Sequence, residues 1–288
     1  MASAQPAKKD PSGPAVLVGR SNLFLRVITS LVLAPLAIAV AYWGGLAFHC
    51  FWSIAALIVL WEWDTLVCEH DRTPVLTLGA VGLIGSSLLL AFDWVGTAVA
   101  LVVLGLFGVA TIASRVRRGW CGAGLVYAAV IMVAPVVLRH DAALGFAAIL
   151  FLFTVVWLTD VVAYFAGRAA GGPRLLPRVS PNKTWSGAIG GTLAGVIGGV
   201  LVAKHFGIVN LVAVGTVALI LSVVSQMGDL LESAIKRQFG AKDASGLIPG
   251  HGGLMDRLDG FLAAAAIAAL IGLVRGGFDA PARGLMVW

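Results

Sequence analysis

Nine stretches of about 20 mostly apolar residues run along this chain, and they restrict its fold more than any other feature. They fall at about 27–43, 47–66, 75–92, 95–113, 121–138, 142–166, 186–203, 208–228 and 259–274. In a bilayer a helix satisfies its own backbone hydrogen bonds, so each stretch reads as one crossing. Composition agrees: 59% of residues are hydrophobic and 12% charged, against roughly 25% charged in a soluble domain. The expected fold is all-α, a polytopic membrane helix bundle of about nine transmembrane helices. Residues 1–22, rich in Pro, Ala, Ser and Gly, are expected to be a mobile N-terminal tail. Residues 23–140 supply N-terminal transmembrane helices, and 141–288 a catalytic transmembrane region with cytoplasmic loops. The first apolar segment is too long for a signal-peptide core and lacks a small-x-small cleavage site, so it reads as a retained helix.

The charges supply an orientation. With the N-terminus cytoplasmic and the helices alternating, the inside segments hold Lys8, Lys9, Arg20, Arg26, Arg72, Arg115, Arg117, Arg118, Arg168, Arg174, Arg178, Lys183, Lys236, Arg237, Lys242 and Arg257. The outside segments hold only Arg139, Lys204, Arg275 and Arg283. That is a positive-inside distribution, and shifting the count by one helix spoils it. The pI near 9.6 therefore reflects topology, and no nucleic-acid partner is expected. Cys50, Cys68 and Cys121 are isolated and odd in number, so neither a disulfide framework nor a zinc site is expected. In the seventh segment Gly187, Gly191, Gly195 and Gly199 recur every four residues. The stripe reads as tight helix packing, with a lipid groove as the other reading.

Against this background Ser225–Asp259 stands apart. It carries five acids (Asp229, Glu232, Asp243, Asp256, Asp259) and four bases (Lys236, Arg237, Lys242, Arg257), a costly density beside lipid. If the eighth helix continues, Gln226, Asp229, Ser233 and Lys236 share one face. Acid and hydroxyl oxygens suit a hard cation such as Mg2+, which also takes phosphate ligands. An ordinary ion-paired face explains the same spacing. The following glycines, including Gly252 and Gly253, make a loop whose amides could cradle an anion, or a plain connector. His251 lacks partner ligands and suits a phosphate or base contact or a structural hydrogen bond. Asp256 and Asp259 then open the ninth helix, one turn apart. A helix N-terminus favours one acid; two, following such a loop, favour a divalent metal. A second inside loop holds Arg168, Arg174, Arg178 and Lys183 and no acid, which fits a triphosphate, an anionic headgroup or a topology signal alone. Upstream, Asp160 lies inside the sixth segment, where an acid is a functional candidate by default.

These residues carry a resemblance. Ser233-x-Ile235-Lys236-Arg237, Lys242-Asp243, His251-Gly252-Gly253 and Asp256-Arg257-x-Asp259 resemble the signature of the phosphatidate cytidylyltransferase (CDP-diacylglycerol synthase) family. The likeness extends to Gly228-Asp229-Leu230 with Glu232, to Asp160-x-x-Ala163-Tyr164-Phe165-x-Gly167-Arg168, and to Ser180-Pro181-x-Lys183-Thr184-Trp185-x-Gly187. The chain departs from the family at Asn182, often Lys there, and at Ser186, often Glu. The resemblance implies attack of phosphatidic acid on the α-phosphorus of CTP, with Mg2+ required and K+ as a second cation. It implies Asp229, Asp256 and Asp259 as metal-holding acids. Asp229, Ser233, Lys236, Asp256 and Asp259 would be catalytic, with Lys183, Arg237, Lys242, Asp243, His251, Gly252, Gly253 and Arg257 binding substrate. A homodimer in a bacterial inner (plasma) membrane, its site facing the cytoplasm, is the matching expectation. A CTP-dependent polyprenol-type lipid kinase is the competing reading, and a transporter a third that the absence of an internal repeat disfavours.

Overall fold

The computed structural model describes residues 31–68, 71–248 and 252–288. The tail, residues 27–30 of the first apolar segment, and His251 lie outside the described residues. A helix over Leu31–Trp43 (α1) is followed by α2 (Gly45–Val67), α3 (Arg72–Ala91), α4 (Val95–Ile112), α5 (Arg118–His140) and α6 (Gly145–Ala170). Then come strands β1 (Arg174–Leu176) and β2 (Ser180–Thr184), helices α7 (Trp185–His205), α8 (Leu211–Gln238) and α9 (Met255–Gly276), and a short α10 (Pro281–Met286). Eight of these helices, α2 to α9, are long and apolar enough to cross a membrane. Each apolar segment of the sequence thus has its helix, and the bundle is all-α apart from one hairpin.

Helices α2, α5, α6 and α9 form the middle of the bundle, with α3 and α4 on one flank and α7 and α8 on the other. In α5, 67% of the apolar window is buried within the chain, against 17% in α4. Aromatic rings join the central helices: Trp52 stacks on Phe261 at 4.9 Å between centroids, and Phe153 packs on both Phe261 and Trp157. Since α5 packs against both α2 and α9, residues before and after 140 share this core.

The glycine stripe of α7 settles into packing. A β-carbon on Gly187 would come within 2.6 Å of the Ala163 carbonyl, and one on Gly195 within 2.9 Å of that of Val155. The two backbones approach closely enough that only glycine fits. The stripe is covered by α6 of the same chain, so it offers no free surface for a lipid or a second copy.

Three features depart from the sequence expectations. The basic loop after α6 folds into the antiparallel hairpin β1–β2, pairing Arg174 with Thr184 and Leu176 with Ser180. Cys68 and Cys121 are joined in a disulfide, correcting the expectation of none. They lie 53 residues apart, and only the packing of α2 against α5 brings their helix ends together. Finally α10, unanticipated, folds back on α9, and Asp141 accepts hydrogen bonds from the amides of Ala143, Leu144 and Arg283, serving the starts of α6 and α10 together. Residue Asp93 makes the tight α3–α4 turn with φ of 61°, a conformation that Asp tolerates better than most residues.

Candidate active site

Helix α8 has 28 residues, about 40 Å at 1.5 Å per residue, where roughly 30 Å spans the hydrocarbon. Its last ten residues therefore need not sit in lipid, and its charges fall there. The end of α8 meets the start of α9, the end of α6, the hairpin and the end of α2 at one end of the bundle. Trp63 of α2 donates to the Trp120 carbonyl, and Trp120 packs edge-on against Phe239, closing that end.

Two lysine–acid pairs organise the site. Lys183 of β2 pairs with Asp229 of α8, and Ser233, one turn on, donates to Asp229 at 3.5 Å. Lys236, 8% exposed, lies 2.6 Å from Glu232 and also pairs with Asp256 of α9. The other oxygen of Asp256 accepts from the amides of Gly253 (2.7 Å) and Ala244 (2.9 Å). Asp259 turns away from that loop. It accepts from the Gly260 amide at 2.7 Å and has Asp229, Glu232 and Asp160 as charged neighbours. Asp160 of α6 has Asp229, Lys183 and Arg257 around it.

The residues singled out in the sequence thus divide. Asp229, Ser233, Lys183, Lys236, Asp256 and Asp259 come together, with Arg257 reaching the group through Asp160. Arg237 donates to the Ala241 carbonyl at 3.1 Å and stays exposed, as do Lys242 and Asp243. Gln226 is not part of the acid face. It donates to Thr192 at 2.9 Å, beside a buried Thr159–Ser222 pair. Arg168 is held by the hydroxyl of Tyr164 at 2.6 Å. Gly252 and Gly253 make room for carboxylates: β-carbons there would lie 2.6 Å from Asp256 and 2.5 Å from Glu62.

Sequence reasoning missed two residues. Glu62 of α2 is fully buried and accepts three hydrogen bonds from the α8–α9 connection. Its signal was present in Trp61-Glu62-Trp63-Asp64, two acids within an apolar window. Tyr127 of α5 is half-buried, and its hydroxyl is a buried oxygen with no hydrogen-bond partner among the described residues. Its charged neighbours include Asp259, Glu232, Asp256 and Asp229, and nothing in its apolar sequence context marks it.

Among the described residues, no three His, Cys, Asp or Glu side chains stand close enough to hold a metal ion. The donor chemistry nevertheless fits one. With every group ionised, Asp160, Asp229, Glu232, Asp256 and Asp259 face Lys183, Lys236 and Arg257, an excess of two negative charges. The donors are oxygens, as a hard divalent cation requires. Asp229, Asp256 and Asp259 are the candidate carboxylates. Asp229 is held by Lys183 and, at 3.5 Å, by Ser233, and is more than a quarter exposed. Asp256 is held by Lys236 and two loop amides, and Asp259 accepts from the Gly260 amide. An apolar groove of about 480 Å³ runs between α7, α8 and β1, with Thr192 and Gln226 among its lining residues.

A polytopic bundle of helices long and apolar enough to cross a membrane, with a cluster of paired lysines and carboxylates near the ends of several of them, is an integral membrane protein. Comparison narrows the class. The chain belongs to the cytidylyltransferase family, whose model matches residues 24–274. It is 44% identical over 262 residues to the phosphatidate cytidylyltransferase of Brucella suis biovar 1 (strain 1330), covering 91% of this chain and 97% of that one. It is 34% identical over 252 residues to the phosphatidate cytidylyltransferase of Staphylococcus aureus (strain COL), covering 83% and 94% respectively.

Proposed function

We infer that this chain is a phosphatidate cytidylyltransferase, which moves the cytidylyl group of CTP onto phosphatidic acid. A phosphate oxygen of phosphatidic acid attacks the α-phosphorus of CTP. The bond from that phosphorus to the bridging oxygen breaks, and pyrophosphate leaves with CDP-diacylglycerol formed. The observation that carries this reading is the position of the paired lysines and carboxylates, inside the stretch over which the family matches.

The chemistry asks little of a base, because the nucleophile is already an anion. It asks for suppression of anion–anion repulsion and for stabilisation of the departing pyrophosphate. Lys183 and Lys236 supply ammonium groups for phosphate oxygens, and Ser233 a hydroxyl. Asp229, Asp256 and Asp259 would hold Mg2+, which when bound supplies charge neutralisation. K+ as a second cation belongs to the same proposal. Asp256 orders Lys236 and the loop amides. One acyl chain of phosphatidic acid lies in the apolar groove between α7, α8 and β1, which Leu230, next in sequence to Asp229, helps to line.

CTP is soluble, so the site opens to the cytoplasm, with the N-terminus on the same side and the protein in a bacterial inner membrane; the distribution of Lys and Arg supports this. The proposal extends to a homodimer whose contact excludes the α7 glycines, because α6 already covers them.

The deciding experiment incubates purified protein with phosphatidic acid, Mg2+ and CTP labelled in the cytidine or in the γ-phosphate. Cytidine label in the lipid is the expected result. Label transferred from the γ-phosphate alone would make the chain a lipid kinase.

A further inference from the structure

Helix α9 starts without a capping side chain of its own: Leu254 stands at the N-cap position and makes no side-chain cap bond. The acceptors come from α2. Glu62 Oε1 accepts from the Ser245 hydroxyl at 2.6 Å and the Leu254 amide at 2.9 Å, and Oε2 accepts from the Met255 amide at 2.6 Å. These three donors all belong to the connection that carries the site, and they lie more than 180 residues along the chain from Glu62. A buried carboxylate in a membrane helix is costly, and the helix start repays it with amide donors and a favourable dipole.

The loop between α8 and α9 is clasped from two sides. Asp256 takes the amides of Ala244 and Gly253, while Gly253 turns its Cα toward Glu62, where a β-carbon would meet the carboxylate at 2.5 Å. Asp256 in turn holds Lys236. Gly253 and Asp256 thus form a chain of contacts from Glu62 to Lys236. We propose that Glu62 is a positioning residue for the reaction: it touches no substrate, and it sets the loop and the first turn of α9 so that Asp256 and Lys236 meet the phosphates. The kinetic part of this assignment rests on the function proposed above.

Glu62→Gln tests it in the full-length protein in detergent. Gln retains one acceptor oxygen and sets an amide NH2 against the Met255 N–H. The expected result is a fall in kcat of about 10-fold or more, the range seen when an outer partner of a site is altered, with a smaller change in the KM for CTP and a nearly unchanged unfolding temperature. Cleavage by trypsin after Lys242, in the same loop, should accelerate. Gly253→Ala, which pushes a methyl group at the same carboxylate, should reproduce both effects, and it serves if Glu62→Gln does not fold. Unchanged kcat together with unchanged cleavage, or activity lost only in proportion to unfolded protein, would overturn the assignment. Wild-type protein that made no liponucleotide would count against the function instead, and the cleavage rates would still decide whether Glu62 holds the loop.

Discussion

Lys183 in the β hairpin pairs with Asp229 near the end of α8, 46 residues further along the chain. The pair ties the basic loop to the acid face. It joins two regions that the sequence shows only as separate charged islands between apolar helices. Each side chain is more than a quarter exposed, so both can exchange this partner for a ligand.

Replacement of Asp229 by Asn should reduce liponucleotide synthesis by about 100-fold or more, as expected when a metal-holding and charge-pairing acid is lost at a phosphoryl site. The protein should still insert and purify in normal yield. Near wild-type turnover by the purified variant in detergent would remove Asp229 from the proposed metal set.

Lys236→Met should damage stability as well as activity. Its ammonium is shared by Glu232, 1% exposed, and Asp256, 6% exposed. Removing one partner of such a buried group costs about 3–5 kcal/mol. The check is the unfolding temperature in detergent alongside turnover: a variant that unfolds normally and has lost only activity would show that Lys236 matters to substrate and not to the fold.

Chelation of divalent ions with EDTA should abolish turnover, and added Mg2+ should restore it. Mg2+ should also protect the wild-type protein against heat through binding to the folded state, and this protection should be absent in Asp229→Asn. Full activity in EDTA would exclude a divalent cation from the reaction.

Gly195→Leu in α7 should prevent normal assembly, because the residue faces the Val155 carbonyl and Thr159 of α6. Overpacking of this kind costs about 1–3 kcal/mol even where the neighbours can move, and backbone cannot move far. Loss of folded protein on size-exclusion chromatography is the readout, with Gly207→Leu unsuitable as a comparison because of its positive φ and Gly96→Leu suitable because nothing lies within 4 Å.

Ser186→Ala should be mild. The family often has an acid here, and this chain has already dispensed with it. The hydroxyl donates to the Gly171 carbonyl and lies 3.0 Å from Thr184, a local tie between the end of α6 and the start of α7. Loss of such a hydrogen bond is worth about 1 kcal/mol. A fall in turnover beyond a fewfold would place Ser186 in the site.

The apolar segments were legible, eight of the nine as helices long enough to cross among the described residues, because a bilayer imposes a length and a composition on every crossing helix. So was the acid face from Asp229 to Lys236, since 3.6-residue periodicity alone aligns residues on a helix. The same local logic grouped Asp256 with Asp259, and there it stopped short. Neighbouring turns of one helix do not say which neighbour each side chain meets, and the fold sends Asp256 to the loop amides and Lys236 while Asp259 joins Asp229, Glu232 and Asp160.

By itself, then, the sequence determined that this protein is a membrane helix bundle with its charged residues gathered toward the ends of a few helices, because hydrophobic length and charge placement are properties of the chain. Only the tertiary structure decided that Glu62, deep in α2, would hold the start of α9, that Lys183 would reach Asp229, that Cys68 would meet Cys121, and that α6 would use up the glycines of α7. Those are pairings across tens to nearly two hundred residues. They depend on which helix packs against which, and in a bilayer every apolar helix face satisfies the lipid about equally well, so hydrophobicity alone does not choose among partners.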